Sequence, residues 1–200
     1  VNNNGSYDVY IVKYDKDGNV LKKINYGGSN SDLFEYAFVN SNKEIVMIVG
    51  TSSTDIDGIE FGAVSDSIIV KFDKDLNVLW NHNIGGNNHD TFRHVDELSD
   101  GSLIVVGYTK SNDISGFSFQ GVADSIIYKY DKDGNLLWKQ SFGGNRWDQI
   151  DRVVVDKDDN FYITSMLQSS SLGDLVNKGG YDQIIAKYDK DGNLLWRNIY

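Results

Sequence analysis

The chain has no cysteine and no proline among its 200 residues. Without cysteine there is no disulfide staple, no thiolate metal ligand and no cysteine nucleophile. Basic residues are also scarce, 19 Lys and Arg against 29 Asp and Glu, for a net charge of −10. That balance argues against a general nucleic-acid binder or a binder of anionic membranes, since both depend on basic patches. The acidity by itself reads as a solubility feature. No apolar run approaches the ~20 residues of a membrane-spanning helix, so membrane insertion is not expected. Neither a starting Met nor a signal peptide precedes Val1, and the expectation is a mature segment or a piece of a longer chain. The missing proline and the turns rich in Asn, Asp, Ser and Gly fit a bacterial surface protein.

Several catalytic signatures are missing too. His82, His89 and His94 are the three histidines, and none has the H-x-H or H-E-x-x-H spacing of a zinc site. No G-x-S-x-G elbow, P-loop or G-x-G-x-x-G occurs. No catalytic residue, metal or cofactor is assigned. Disorder is not expected either, because only 24% of residues are charged and 40% are hydrophobic.

What the chain has is a repeat. Asp124 to Trp138 reads D-S-I-I-Y-K-Y-D-K-D-G-N-L-L-W. The stretch recurs from Asp66 to Trp80 and from Asp182 to Trp196, and once more from Asp8 to Lys22 with Lys22 in place of Trp. Lys13, Lys71, Lys129 and Lys187 are spaced 58 residues apart, and a fixed period of this size signals a repeat architecture. Each copy is a β-branched and aromatic strand, a turn and a second strand. Asp, Asn and Gly in the turn (Asp15-Lys-Asp-Gly-Asn19) accept the left-handed conformation that a tight hairpin needs. A second hairpin precedes each of the last three copies. The predicted strands of one unit are 34–39, 44–51, 67–72 and 78–84, called a to d. The later units repeat them at 92–97, 102–108, 125–130 and 136–142, then at 150–155, 161–166, 183–188 and 194–199.

Tandem four-stranded antiparallel units predict an all-β, β-propeller-type array. A β-trefoil and a β-sandwich are the alternatives. The chain reads as one domain over 1–200: a half blade at 8–28 and blades at 29–86, 87–144 and 145–200. Strands a and b of the half blade have no counterpart after Tyr200. Missing blades or self-association would then complete the ring, because open sheet edges invite pairing.

Gly-Gly-x-x-x-Asp, a strand, a turn, the strand Ile104-Val-Val-Gly107, a Ser/Thr/Asn-rich loop and Asp-x-Ile-Ile-x-Lys-Tyr-Asp together resemble the bacterial β-propeller repeats of the SBBP type. The resemblance covers nearly the whole chain and implies an architecture, not an activity. It departs at Thr164-Ser165, which stand where Val106-Gly107 stand one repeat earlier. Asp131-x-x-Gly134-x-x-x-Trp138 also resembles the tryptophan-docking motif of quinoprotein propellers. By that resemblance Trp80, Trp138 and Trp196 pack between blades, as an aromatic recurring in frame would. Carbohydrate stacking is the alternative for them.

The D-K-D-G-N turns resemble the start of a calcium loop, but no Glu follows at the twelfth position and Leu76 replaces one Gly. They read as hairpin turns. Asp32, Asp90 and Asp148 follow each Gly-Gly in frame and are expected to fix the d-to-a connection through backbone hydrogen bonds.

In an up-and-down blade the variable connections fall on one face, and loops carry function on rigid scaffolds. That face comprises 28–33, 51–65, 86–91, 109–123, 144–149 and 167–181. Within it, Ser31, His89 and Trp147 occupy equivalent positions, as do Asn30, Asn88 and Arg146. Packing would keep equivalent positions alike, so Asn88, His89, Arg146 and Trp147 are the candidate ligand-binding residues. Phe61, Phe117 and Phe119 read as loop anchors. Glu35, Arg93 and Asp151 are equivalent in strand a, and ion pairing between blades is expected of them rather than lining of the channel. The functional expectation is a non-catalytic, extracellular or cell-surface binding module for a protein or glycan. A glycan-cleaving hydrolase or lyase and a structural display spacer are the alternatives.

Overall fold

The computed structural model describes residues 4–59 and 66–200. It is all-β, with no helix among the described residues. The strands are β1 (Val9–Tyr14), β2 (Val20–Tyr26), β3 (Asp32–Val39), β4 (Ile45–Thr51), β5 (Asp66–Phe72), β6 (Val78–Ile84), β7 (Asp90–Glu97), β8 (Leu103–Thr109), β9 (Asp124–Tyr130) and β10 (Leu136–Phe142), followed by β11 (Asp148–Val155), β12 (Phe161–Leu167), β13 (Ser171–Leu172), β14 (Leu175–Val176), β15 (Asp182–Tyr188) and β16 (Leu194–Ile199). Three four-stranded antiparallel sheets run β3-β4-β5-β6, β7-β8-β9-β10 and β11-β12-β15-β16, after a two-stranded β1-β2. This is a propeller-type array of three blades and a half blade. The inner strands begin two residues earlier than the sequence predicts, because Asp32 still pairs with Thr51. The loop at 167–181 carries a small hairpin, β13-β14, too short for any periodicity to announce.

The core lies between the sheets. In β8, Leu103 and Val105 pack toward the first blade, in a cluster with Val46, Ile48, Ile69 and Phe92. Ile104 and Val106 point the other way, against Ile150, Phe161 and Ile184 of the third blade. Alternate side chains face opposite sides of a strand, so a strand packed on both faces is buried along its whole length. That is why β5, β8 and β9 are buried at every position. β15 has only one neighbouring sheet and alternates buried with less buried residues. Thr164 is exposed in the third blade where its equivalent Val106 is fully buried. The next residue, Ser165, donates its hydroxyl to the Gln149 carbonyl at 2.8 Å. The equivalent Gly107 has no room for a Cβ, which would meet the Thr91 carbonyl at 1.9 Å.

The recurring lysine and tryptophan join successive blades. Lys71 Nζ donates to the Lys132 carbonyl at 2.9 Å, and Lys129 Nζ to the Lys190 carbonyl at 2.8 Å. Both carbonyls belong to the D-K-D-G-N turn of the next blade. Lys71 also sits 2.6 Å from Glu44. Burial raises the Glu44 carboxyl, but its bonds to Lys71 and Asn40 outweigh that and hold it below its usual range. Trp80 lies on Gly134, and Trp138 on Gly192. Trp196 stays 42% exposed, edge-on to Tyr162 at 6.0 Å.

Candidate functional site

Each connection from one blade to the next is held by a buried carboxylate. Asp32 accepts the Gly28 N–H at 2.8 Å and the Ser53 hydroxyl at 2.9 Å, and also the Thr51 hydroxyl. Asp90 does the same with Gly86 at 2.9 Å, Ser111 at 2.7 Å and Thr109. Asp148 accepts Gly144 at 2.8 Å and Ser169 at 2.6 Å. All three are at most 1% exposed. The serine hydroxyls in turn accept the N–H of Asn30, Asn88 and Arg146, each at 2.9 Å. A second in-frame carboxylate, which the sequence reading passed over, closes the other side. Asp124 accepts the Gln120 N–H at 2.9 Å and abuts Gly143, where a Cβ would sit 2.2 Å from its Oδ1. Burial pushes the Asp124 carboxyl up to about 6, with Asp148 adding to the shift. The Gly-Gly pairs are thus wedged between carboxylates and serine side chains, which explains their recurrence.

On this fixed frame, residues 31, 89 and 147 project beside the inner strands. His89 Nε2 is 3.1 Å from the Tyr108 hydroxyl and 3.0 Å from the Thr91 hydroxyl. The ring of Tyr108 lies 5.2 Å from that of Trp147, and Lys110 Nζ lies over the indole at 4.5 Å. Trp147 Nε1 donates to Gln149 at 2.8 Å, and Gln149 donates to Asp151 at 2.8 Å. His89 and Trp147 are therefore brought together through Tyr108. Asn88 and Arg146 are exposed on the connections, held by their backbones, with no side-chain hydrogen bond to this cluster among the described residues.

Glu35, Arg93 and Asp151 each form the extra residue of a β-bulge in the inner strand. Bulges re-aim a side chain and sharpen the local twist. The expected ion pairs between these residues do not form. Among the described residues Arg93 has no salt bridge; its guanidinium lies 5.7 Å over the Tyr108 ring, and its buried Nε–H has no hydrogen-bond partner. Glu35 and Arg93 instead face one cleft of about 200 Å3 between the first and second blades, with Thr91, His89 and Tyr108.

The D-K-D-G-N carboxylates are occupied by their own turns: Asp131 accepts Asp133 N–H at 2.9 Å and Asn135 N–H at 2.8 Å. No group of three or more His, Asp or Glu side chains gathers as a metal would require among the described residues. Phe117 packs against the core between the first two blades, edge-on to Tyr128 at 5.8 Å, and Phe119 is half-buried. Phe61 and the stretch 60–65 of the loop face lie outside the described residues.

Sequence reasoning missed Tyr108, Lys110 and Thr91. A signal was there: residues 33, 91 and 149 are Leu, Thr and Gln, residues 50, 108 and 166 are Gly, Tyr and Met, and residues 52, 110 and 168 are Ser, Lys and Gln. These positions diverge as strongly as residues 31, 89 and 147.

No protein-family model matches the chain. It is 26% identical over 159 residues to an uncharacterized WD repeat-containing protein of Acanthamoeba polyphaga mimivirus, covering 70% of this chain and 11% of that protein. It is 24% identical over 149 residues to the regulatory protein FlaEY of Caulobacter vibrioides, covering 70% of this chain and 16% of that protein. The chain thus spans a small fraction of the length of the curated relatives it matches. A crystal structure of a protein of unknown function from Bacteroides caccae superposes with a TM-score of 0.44 at 10% identity, over 99% of this chain and 80% of that one. The resemblance to WD-repeat sequence agrees with a propeller-like repeat module.

Proposed function

We propose that this propeller-like module is a non-catalytic binding unit of a bacterial extracellular or cell-surface protein, and that it recognises a protein or glycan at the inner, loop-side mouth of the array. One observation carries the reading. Positions held alike elsewhere in the repeat diverge at this mouth, and the divergent His89, Tyr108, Lys110 and Trp147 meet there in contact. A spacer would need no such departure, since repeated packing favours repeated residues. The carboxylate anchors of Asp32, Asp90 and Asp148 support it by fixing the connections from which these side chains project. No cofactor or metal enters the reading.

The stacking of Trp80 on Gly134 and Trp138 on Gly192 supports the likeness to tryptophan-docking repeats, and the 58-residue pattern supports the SBBP assignment. Phe34 is 58% exposed while its equivalents Phe92 and Ile150 are fully buried. This supports completion of the array at the half-blade edge by further strands, from another copy or from sequence beyond this chain. A screen against glycans and host proteins, repeated with His89→Ala and Trp147→Ala, tests the function. A binder that both changes weaken supports it; the absence of any binder in both panels refutes it in favour of the spacer.

A further inference from the structure

We infer that the cleft between the first and second blades takes an acidic saccharide, with the ring carboxylate held by Arg93. This deepens the binding reading and rests on it.

Arg93 is the central observation. It is carried on the bulge of the inner strand β7, turned into the cleft, and free of any salt bridge among the described residues. Its buried Nε–H has no hydrogen-bond partner there. Buried donors in native proteins are nearly always paired, and a guanidinium presents a planar fork that matches a carboxylate. The Tyr108 ring lies beneath it, 5.7 Å from Cζ. Lys110 lies on the far side of the same aromatic cluster.

The opposite wall selects among anions. Glu35 and Asp66 line it together with the hydroxyls of Ser31, Ser52 and Ser67. A ligand that gives its carboxylate to Arg93 must also bring hydrogen-bond donors to Glu35. The side chain of an acidic peptide residue carries no donor next to its carboxylate. A uronate ring carries hydroxyls on the carbons around it, which serve Glu35 and the serines together. The cleft, at about 200 Å3, lies below the usual size for drug-like ligands. It therefore suits one ring of a chain rather than a large aglycone, and leaves neighbouring residues of the chain to run along the mouth toward Trp147.

The test is calorimetric titration of the intact chain with oligogalacturonates, neutral galacto-oligosaccharides of the same length, acidic peptides and free α-amino acids. The expected result is binding of the uronate oligomers alone, at least tenfold weaker in Arg93→Gln and partly retained in Arg93→Lys, with unchanged melting temperatures. Equal binding of the neutral oligomers, or uronate binding indifferent to Arg93→Gln, would overturn the acidic-saccharide inference while leaving the binding module intact. So would binding of the peptides or amino acids in place of the sugars. If no saccharide binds, the inference fails, and host-protein capture sensitive to Trp147→Ala decides the broader reading separately.

Discussion

Trp80 lies flat against Gly134, so closely that a Cβ on the glycine would come within 2.8 Å of the indole. Trp138 and Gly192 repeat the contact, with 3.1 Å to the nearest indole atom. Gly134 and Gly192 also need their positive φ of 89° and 85°, so the glycine serves turn and docking surface at once. The second blade thereby carries both halves of a joint: Trp138 for the blade after it and Gly134 for the blade before it.

Trp138→Ala should cost about 3 kcal/mol, at the low end for a large aromatic because the ring is only partly buried. Trp196→Ala, at an indole 42% exposed, should cost less than about 1 kcal/mol. Denaturant melts of the two variants check this. Equal losses would contradict the docking joint.

The first joint is rebuilt rather than lost. Lys22 stands where tryptophan would, and Leu76 where the partner glycine would. Lys22 Nζ donates to the Asp75 carbonyl and, at 3.1 Å, to Asn77 Oδ1, on either side of Leu76. Leu76 keeps the positive φ, at 59°. Lys22→Trp alone should destabilise by ~1–2 kcal/mol through crowding against Leu76. Adding Leu76→Gly should recover most of that loss, a coupling of about 1 kcal/mol in a double-mutant cycle. Additive effects would show that the two departures are unrelated.

Asp90→Ala removes the acceptor for the Gly86 N–H and two hydroxyls at a fully buried position. A loss of about 2–4 kcal/mol is expected, since donors are left buried and unpaired. Hydrogen exchange should speed up at Gly86 and Asn88 ahead of the strands. Uniform exchange across the second blade would contradict a local anchoring role.

Asp124 has its folded-state carboxyl raised to about 6 from 3.8. Its contribution is therefore fully present below about pH 3.8 and is lost as pH rises through about 6. Asp124→Asn keeps an acceptor for Gln120 and removes the charge. It should leave the melting temperature unchanged near pH 4 and raise it at pH 8, by an amount worth up to about 3 kcal/mol. A lower melting temperature at pH 8 would contradict the cost assigned to the buried charge.

Much of the architecture was readable in the chain because packing between repeats constrains the same positions each time. The turns were readable from Gly18, Gly134 and Gly192, and the joints from Trp80 and Trp138. The bulges at Glu35, Arg93 and Asp151 were not, because a bulge adds a residue without changing the residue types around it. Their assignment to ion pairs followed from charge alone and missed that the bulge turns Arg93 onto Tyr108. Half of the candidate site was legible. His89 and Trp147 stood out as breaks in the repeat on a connection. Tyr108 broke it equally but sits in β8, among Val105, Val106 and other core residues, where a tyrosine passes as packing.

The most direct test of a binding mouth is to return it to the repeat. His89→Ser and Trp147→Ser together place in the second and third blades the residue that the first blade has at Ser31. Ligand identified in the screen should bind the double variant at least tenfold more weakly, with the melting temperature within a few degrees of the parent chain. Full affinity in that variant would contradict the assignment of the divergent mouth as the binding surface.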